Sequence, residues 1–443
     1  MAELWRYGAG ELASMIASRA VSSREVVEAH LARIEAVNPR LNAIVRVLAD
    51  EARAGADAAD RSVQRGDELG PLHGVPFTVK ENIDLAGTPT TQGLVALAQA
   101  VSPSDAPTVE RMRAAGGIPI ARTNLPDLGL RVHTDSQLHG LTRNPWNRDR
   151  TAGGSSGGEG SALASGMSPI GLGNDIGGSL RNPAHCCGIA SIKPTVGVVP
   201  HATTIPPEDS GIAFQMMAVQ GVMARRVSDV RLGLGIVSGP HPRDPESLPV
   251  SLPGLRPGER TRLCLLAEPP GGETHPDVAA AVRTAADHLA DAGHEIVETT
   301  PPDYEAVLQA WRNLLGIEIR HQLPLLQAVM GPGGIDFLGK AIAAFPELDL
   351  SGALVGFAER QRLRRNWGQW FEEFDAILCP TWTQPAFDHG YDISSEAGAA
   401  DVLTLLRPVL PPNFLGLPGA VVPVGRAAGQ PVGVQIVGPG FGD

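Results

Sequence analysis

Between Gly153 and Thr195 the chain reads GGSSGGEGSALASGMSPIGLGNDIGGSLRNPAHCCGIASIKPT, and this stretch constrains the fold more than any other. It holds two glycine–serine clusters, Gly153-Gly154-Ser155-Ser156-Gly157-Gly158 and Gly177-Gly178-Ser179. Glycine lacks a Cβ, so backbone amides can crowd around another group. Serine beside such amides is expected where a nucleophile and an anion pocket sit together. The stretch therefore predicts the active site of a serine-dependent hydrolase.

Alternating elements surround it. Residues 8–66 read as helical, with a capping box at Ser22-Ser23-Arg24-Glu25, an apolar face at Val27, Leu31 and Ile34, and a stop at Asn38-Pro39. A short apolar piece, Ala43 to Val47, leads into an alanine-rich amphipathic helix from Ala49 to Arg65. Gly74 to Lys80 is a strand: Val75, Phe77 and Val79 share one face, Pro76, Thr78 and Lys80 the other. Taken singly, Lys80 reads as a solvated lysine. A helix over Thr108–Gly116 and a strand over Ile118–Ala121 continue the α/β pattern.

Asn124 to Asn147 is rich in turn residues. His133, Asp135 and His139 fall within it, unevenly spaced, and read as loop residues lining a pocket rather than metal ligands. Further on, short helices are expected at Ser161–Gly166 and Ala184–Gly188, with strands at Ile170–Gly173 and into Ile192-Lys193-Pro194. Gly221 to Val237 reads as one helix. Pro240, Pro242, Pro245, Pro249, Pro253 and Pro257 mark a boundary between Ser238 and Arg260. Beyond it come strands at Arg262–Leu266, Glu295–Glu298 and Asp375–Cys379 and helices at Pro276–Ala292 and through most of Ala306–Phe374. A hairpin of Val421–Val424 with Val432–Val437 follows.

Composition excludes several classes. A net charge of −12 argues against a protein that binds nucleic acid by neutralising phosphates. Four cysteines in 443 residues form neither a disulfide framework nor a zinc pattern, which suggests reduced thiols and a cytoplasmic location. The opening MAELWRYGAG has no basic segment followed by an apolar one, so no secretory leader is expected. No run approaches the roughly 20 apolar residues of a membrane helix.

Three arrangements compete for the chemistry. Gly153-x-Ser155-x-Gly157 fits a nucleophile elbow, but the polar Asn147–Thr151 is not the hydrophobic strand an elbow needs. A phosphate-binding loop would need a Gly-Lys-Ser/Thr ending, which is missing. Ser179 after Ile176-Gly177-Gly178 fits a turn whose successive amides point at one spot, although a glycine turn packed under a helix explains that motif too.

Taken together, the pieces resemble the amidase signature family, which includes bacterial amidases, glutamine-hydrolysing subunits of tRNA amidotransferases and fatty acid amide hydrolases. The resemblance rests on Gly74 through Asp84, on Thr142-Arg143-Asn144-Pro145-Trp146 and on the opening stretch. It extends to Cys379-Pro380-Thr381, Asn413–Gly419 and Pro431-Val432-Gly433-Val434-Gln435. It is weakest between Pro253 and Phe374. Ile176–Ser179 and Gly157–Gly160 look most like the fatty-acid-amide-hydrolase branch.

The resemblance implies an α/β/α sandwich, a large mixed, twisted β-sheet covered by helices on both faces. By motif position it makes Ser179 the nucleophile, Ser155 a bridging serine after a cis Gly154–Ser155 peptide, and Lys80 the base, reversing the solvated reading of that lysine. The backbone amides of Ile176, Gly177, Gly178 and Ser179 become the oxyanion hole. Gly154, Asp175 and Arg181 are expected to support the site, the last two as an ion pair or hydrogen-bonded pair. Gly129, Leu130 and Arg131 are expected to line the pocket, with His133 and Trp311 as further candidates that also read as packing residues. A lysine can act as base only if burial lowers its reference pKa near 10.4 by about 3–5 units.

The expected activity is hydrolysis of non-peptide carboxylic amides through an acyl-enzyme, with aryl amides, esters or carbamates as further substrates. No cofactor or metal is implied. The expected partners are a small amide-type substrate and water, and oligomers stay open. A glutaminase subunit and an inactive amidase-fold binding protein remain as alternatives. The former carries Thr-Asp-Thr-Gly-Gly-Ser where this chain has Asn174-Asp175-Ile176-Gly177-Gly178-Ser179. Four parts are expected: a helical layer (1–66), the signature core (67–250), a variable helical part shaping the pocket (251–374) and a return to the core sheet (375–443). Family members usually continue past the Gly-Val-Gln strand into a C-terminal helix, whereas this sequence stops at Asp443, so that the helix is either cut off or dispensable.

Overall fold

The computed structural model describes residues 3–205, 209–252 and 258–443. Pro253 and Pro257 of the proline-rich boundary lie outside the described residues. The chain opens with α1 (Ala9–Ala17), α2 (Ser23–Leu41), β1 (Ile44–Val47) and α3 (Ala49–Arg65). Ser22 caps α2: its Oγ accepts the Glu25 amide at 3.1 Å, and the Glu25 carboxylate accepts the Ser22 amide at 2.8 Å. Such a cap contributes about 1 kcal/mol. The helix does not stop at Asn38-Pro39 but runs on to Leu41, where Asn42 closes it in a left-handed conformation. Pro39 removes one hydrogen bond on the exposed side of the last turn, where water can satisfy the freed carbonyl.

Next come β2 (Pro76–Lys80), α4 (Pro107–Ala114), β3 (Ile118–Thr123) and a small hairpin, β4 (Asp135–Ser136) with β5 (Gly140–Leu141). Then α5 (Gly157–Ala164), β6 (Ile170–Asp175), α6 (Arg181–Cys187) and β7 (Ala190–Lys193) carry the glycine–serine stretch. α5 starts at Gly157 rather than at Ser161. Its first amides donate outside the helix, Gly157 to Thr134 Oγ1 at 3.1 Å and Gly158 to the Asn124 carbonyl at 3.2 Å. Packing this close needs glycine, and it offsets the roughly 1 kcal/mol that glycine costs in a helix.

The segment expected as one helix from Gly221 is instead preceded by α7 (Ile212–Met217) and divided into β8 (Val219–Ala224) and α8 (Val227–Val237). β8 lies between β6 and β7 and pairs with both, so tertiary pairing overrides the local pattern. The rest comprises β9 (Arg262–Leu265), α9 (Pro276–Asp291), β10 (Glu295–Glu298), α10 (Tyr304–Val329), α11 (Pro332–Ala343) and α12 (Leu350–Trp370). After these come β11 (Ala376–Pro380), α13 (Tyr391–Ser394), α14 (Glu396–Leu405), α15 (Leu410–Leu415) and the hairpin β12 (Gly419–Ala427)–β13 (Gln430–Val437).

Among the described residues eleven strands join in one mixed sheet, ordered β1-β3-β2-β6-β8-β7-β12-β13-β11-β9-β10. Helices flank it on both faces, giving an α/β sandwich. Phe77, Val79, Ile170 and Leu172 face a core shared with α1, α2, α4 and α8. The opposite face of β2 and β6 carries Thr78, Gly171 and Gly173 and lies under α5. The alternation Ile170-Gly171-Leu172-Gly173 thus fills one side and leaves the other bare for close helix packing. β2 and β6 are adjacent and parallel. Lys80 and Asp175 end them on the same edge, the carboxyl edge where open α/β sheets place ligands.

Candidate active site

Lys80 is fully buried, because the face of β2 expected to meet solvent is covered by α5. Its Nζ lies 2.7 Å from Ser155 Oγ and 2.6 Å from Asn174 Oδ1. Burial lowers its pKa from 10.5 to about 7, against the opposing pull of Asp175 and Glu159. A neutral amine, with a lone pair free to take a proton, is therefore accessible near neutral pH.

Ser155 follows a cis Gly154–Ser155 peptide and is 2% exposed. Gly154 presses against the loop before it: a Cβ there would stand 2.5 Å from the Val132 carbonyl carbon and 2.7 Å from the Arg131 oxygen. Gly129, in a left-handed conformation, also borders Ser155: a Cβ there would fall 3.1 Å from Ser155 Oγ.

The second cluster follows β6. Asp175 organises it through five donors: the amides of Gly178 (2.8 Å) and Leu180 (3.1 Å), Arg181 Nε (3.0 Å), Arg181 Nη2 (2.9 Å) and Asn413 Nδ2 (2.9 Å). Burial alone would raise its pKa, but Arg181, Lys193 and Asn413 outweigh that and hold it at about 2. Arg181 also reaches Gln435 at 2.6 Å and Asn413 at 2.5 Å, so each nitrogen of its buried guanidinium has an acceptor. Of the four loop amides, that of Gly178 is thus already engaged. Among the described residues no acceptor pairs with those of Ile176, Gly177 or Ser179.

Asn182 ties the clusters together, its Nδ2 donating to the Gly154 and Gly177 carbonyls at 3.1 Å each. The Ser156 amide donates to the Ser179 carbonyl at 3.3 Å, a second link. Sequence reasoning missed Asn182, Asn174 and Glu159. Asn413 and Gln435 lie in stretches that carried the resemblance, but no role was attached to them.

The pocket candidates divide. Gly129 borders Ser155, and Leu130 is half-buried against the large apolar cluster that holds Trp311. Arg131 presents no free guanidinium: it is 2% exposed and pairs bidentately with the buried Asp392, Nε–Oδ2 2.5 Å and Nη2–Oδ1 2.8 Å. Only its backbone borders the site, at Gly154. His133 is buried, with Nδ1 2.9 Å from Thr151 Oγ1, while His139 pairs with Glu81. Among the described residues no cluster of three or more His, Cys, Asp or Glu is placed to hold a metal. None of their helices is long and apolar enough to cross a membrane.

The Amidase family profile matches residues 25–443. An indoleacetamide hydrolase of Bradyrhizobium diazoefficiens is 42% identical over 98% of this chain and 83% of its own length. An acylamidase of Rhodococcus erythropolis is 33% identical, over 97% of this chain and 91% of its own. Among solved structures, 6-aminohexanoate cyclic dimer hydrolase in complex with substrate superposes with a TM-score of 0.85 at 28% identity, covering 99% of this chain and 94% of that one. The chain belongs to the amidase family, the amidase signature enzymes, and is an amide-hydrolysing enzyme.

Proposed function

We propose that this enzyme cleaves small carboxylic amides by a Ser179–Ser155–Lys80 relay and an acyl-enzyme, and that its substrates include primary amides of arylacetic acids. The observation that carries the mechanism is the 2.7 Å contact between Ser155 Oγ and the buried, readily neutral Lys80 amine. Neutral Lys80 takes the proton of Ser155 while Ser155 takes that of Ser179. Ser179 Oγ attacks the amide carbon, and the uncommitted amides of Ile176, Gly177 and Ser179 receive the oxyanion. Gly178 shapes the loop through its bond to Asp175. The proton then returns through Ser155 to the leaving nitrogen, and water releases the acyl group by the reverse relay.

The substrate class is supported by the 42% identical indoleacetamide hydrolase. The apolar side chains of Leu128, Leu130, Ile176 and Trp311, packed in one cluster beside the loop, also support it. A glutaminase would need a cation for the substrate's carboxylate, and Arg131 is closed off by Asp392. A cytoplasmic setting accords with four free, buried cysteines.

A panel of arylacetamides, aliphatic amides, anilides, carbamates, esters and glutamine, run on wild type and Ser179→Ala, tests the reading. Arylacetamide turnover should be highest and should fall about 10⁴-fold or more in the variant. A fluorophosphonate found on Ser155 with Ser179 unmodified would restore the elbow reading. Well-folded protein that no serine-directed probe labels would point to a binding protein.

A further inference from the structure

Glu159 has no part in the relay above, yet the fold places it with care. α5 begins two residues after Ser155, and its first turn carries Glu159 back beneath β2. There the carboxylate is fully buried and accepts hydrogen bonds from Thr78 Oγ1 and, at 2.8 Å, from Thr123 Oγ1. Thr78 lies two residues before Lys80 on the same strand face, and Thr123 is the direct partner of Lys80 in the β2–β3 register. The carboxylate therefore sits one pleat from the lysine. Room for it is made by Gly171, the β6 partner of Thr78, where any Cβ would overlap Glu159 Oε1.

Among the described residues Glu159 forms no ion pair, and hydroxyls are its hydrogen-bond donors. A buried carboxylate without a paired cation is costly, and structural ones are normally compensated as Asp175 is by Arg181. Lys80 is the cation whose charge acts on Glu159.

We propose that Glu159 is a positioning residue that titrates with Lys80 as a coupled pair holding one proton near neutrality, so that its charge sets when the lysine becomes a base. This rests on the Ser–Lys relay. The charges acting on Lys80 are Asp175, at the end of β6, and Glu159, on α5. Asp175 is already compensated by Arg181, with Lys193 nearby. Arg122 of β3 donates to Thr88 Oγ1, to the Ile83 carbonyl and, at 3.4 Å, to the backbone carbonyl of Lys80, and it is not among the charges acting on the Lys80 amine. Burial pushes Glu159 up to about 7, and the two threonines and Lys80 oppose that rise. An ionised Glu159 favours the ammonium; a protonated one leaves Lys80 neutral.

The test is the pH dependence of Ser179 acylation by a fluorophosphonate, which needs no knowledge of the substrate. In Glu159→Gln the acid limb should move to lower pH by about one unit, about a tenfold change in the apparent ionisation constant. A limb that stays in place, or moves up, overturns the role of Glu159 even if rate or Tm falls. Should the Gln variant not fold, infrared difference spectra of Lys80→Met serve instead. Loss of the cation should increase the protonated Glu159 carboxyl signal at neutral pH, and an unchanged signal overturns the pairing. Failure of the relay itself looks different: Lys80→Ala would then acylate like wild type. A limb present in wild type, absent in Lys80→Ala and unmoved in Glu159→Gln sinks only the present inference.

Discussion

The indole of Trp311 packs against the loop before Ser179: a Cβ on Gly177 would stand 3.3 Å from its Cζ2, and its Nε1 donates to the Ile176 carbonyl at 3.4 Å. A residue of α10, in the part expected to vary, thus buttresses the Ile176–Gly177 peptide, which carries one of the three uncommitted amides. Trp311→Phe should keep the apolar wall but lose the hydrogen bond, raising KM for arylacetamides several-fold with little change in Tm. Trp311→Ala should cost about 3–5 kcal/mol through the cavity it opens. Steady-state kinetics across acyl groups check this, and an equal loss for every substrate would reduce Trp311 to packing.

In the proposed relay Lys80 must be neutral to accept a proton, and burial lowers its pKa to about 7. The ammonium predominates below that value and the amine above it, so kcat/KM should rise with pH through about 7 and then level. Lys80→Ala should abolish this limb and lower turnover by about 10²–10⁴-fold at pH 7. Stopped assays from pH 5 to 9 provide the measurement, and full activity in the variant would remove lysine from the chemistry.

The Asp175–Arg181 pair makes a separate prediction about acid. Asp175 has a folded pKa of about 2, below its ordinary 3.8. A depressed carboxylate contributes stability that is fully present above 3.8 and is lost as pH falls through about 2. Asp175→Asn should therefore flatten stability against pH in that window. Arg181→Met, which leaves a buried carboxylate without its partner, should destabilise by about 3–5 kcal/mol at neutral pH. Denaturant titrations at pH 2.5, 4 and 7 separate the two effects.

Gly154→Ala should fail for steric reasons. The new methyl would meet backbone at Val132 and Arg131, which cannot swing aside as a side chain would. Overpacking of this kind costs about 1–3 kcal/mol. The loss of acylation should exceed the loss of stability, because the displaced group carries Ser155. Thermal melts paired with fluorophosphonate labelling decide it, and a stable, fully reactive variant would show that the loop can yield.

Much of the fold was legible because local signals were strong. The Ser22–Glu25 box, the alternating strand ending at Lys80 and the valine hairpin near the end are all short-range patterns. Where the reading slipped, tertiary contacts outweighed them. β8 looked helical because its apolar residues show no period that separates a doubly paired strand from a buried helix. α5 was started late because Gly157 and Gly158 are poor helix formers until Thr134 and Asn124 receive their amides. Nothing near Arg131 in the chain reveals that its guanidinium is taken, because its partner, Asp392, lies 261 positions away.

The amino-acid order alone determined the identity of the family, since motifs spread from Gly74 to Gln435 recur together only in one kind of chain. It also determined where glycine is required, because backbone approach leaves no other choice. Only the tertiary structure decided the surroundings in which those motifs are held. Lys80 reads as an ordinary surface lysine until α5 covers its strand, and desolvation then lowers its pKa into the working range. The Gly178 amide reads like its neighbours until Asp175, held by Arg181 and Asn413, takes its hydrogen bond. Both outcomes depend on which groups are excluded from water together, a property of packing that no local run of residues encodes.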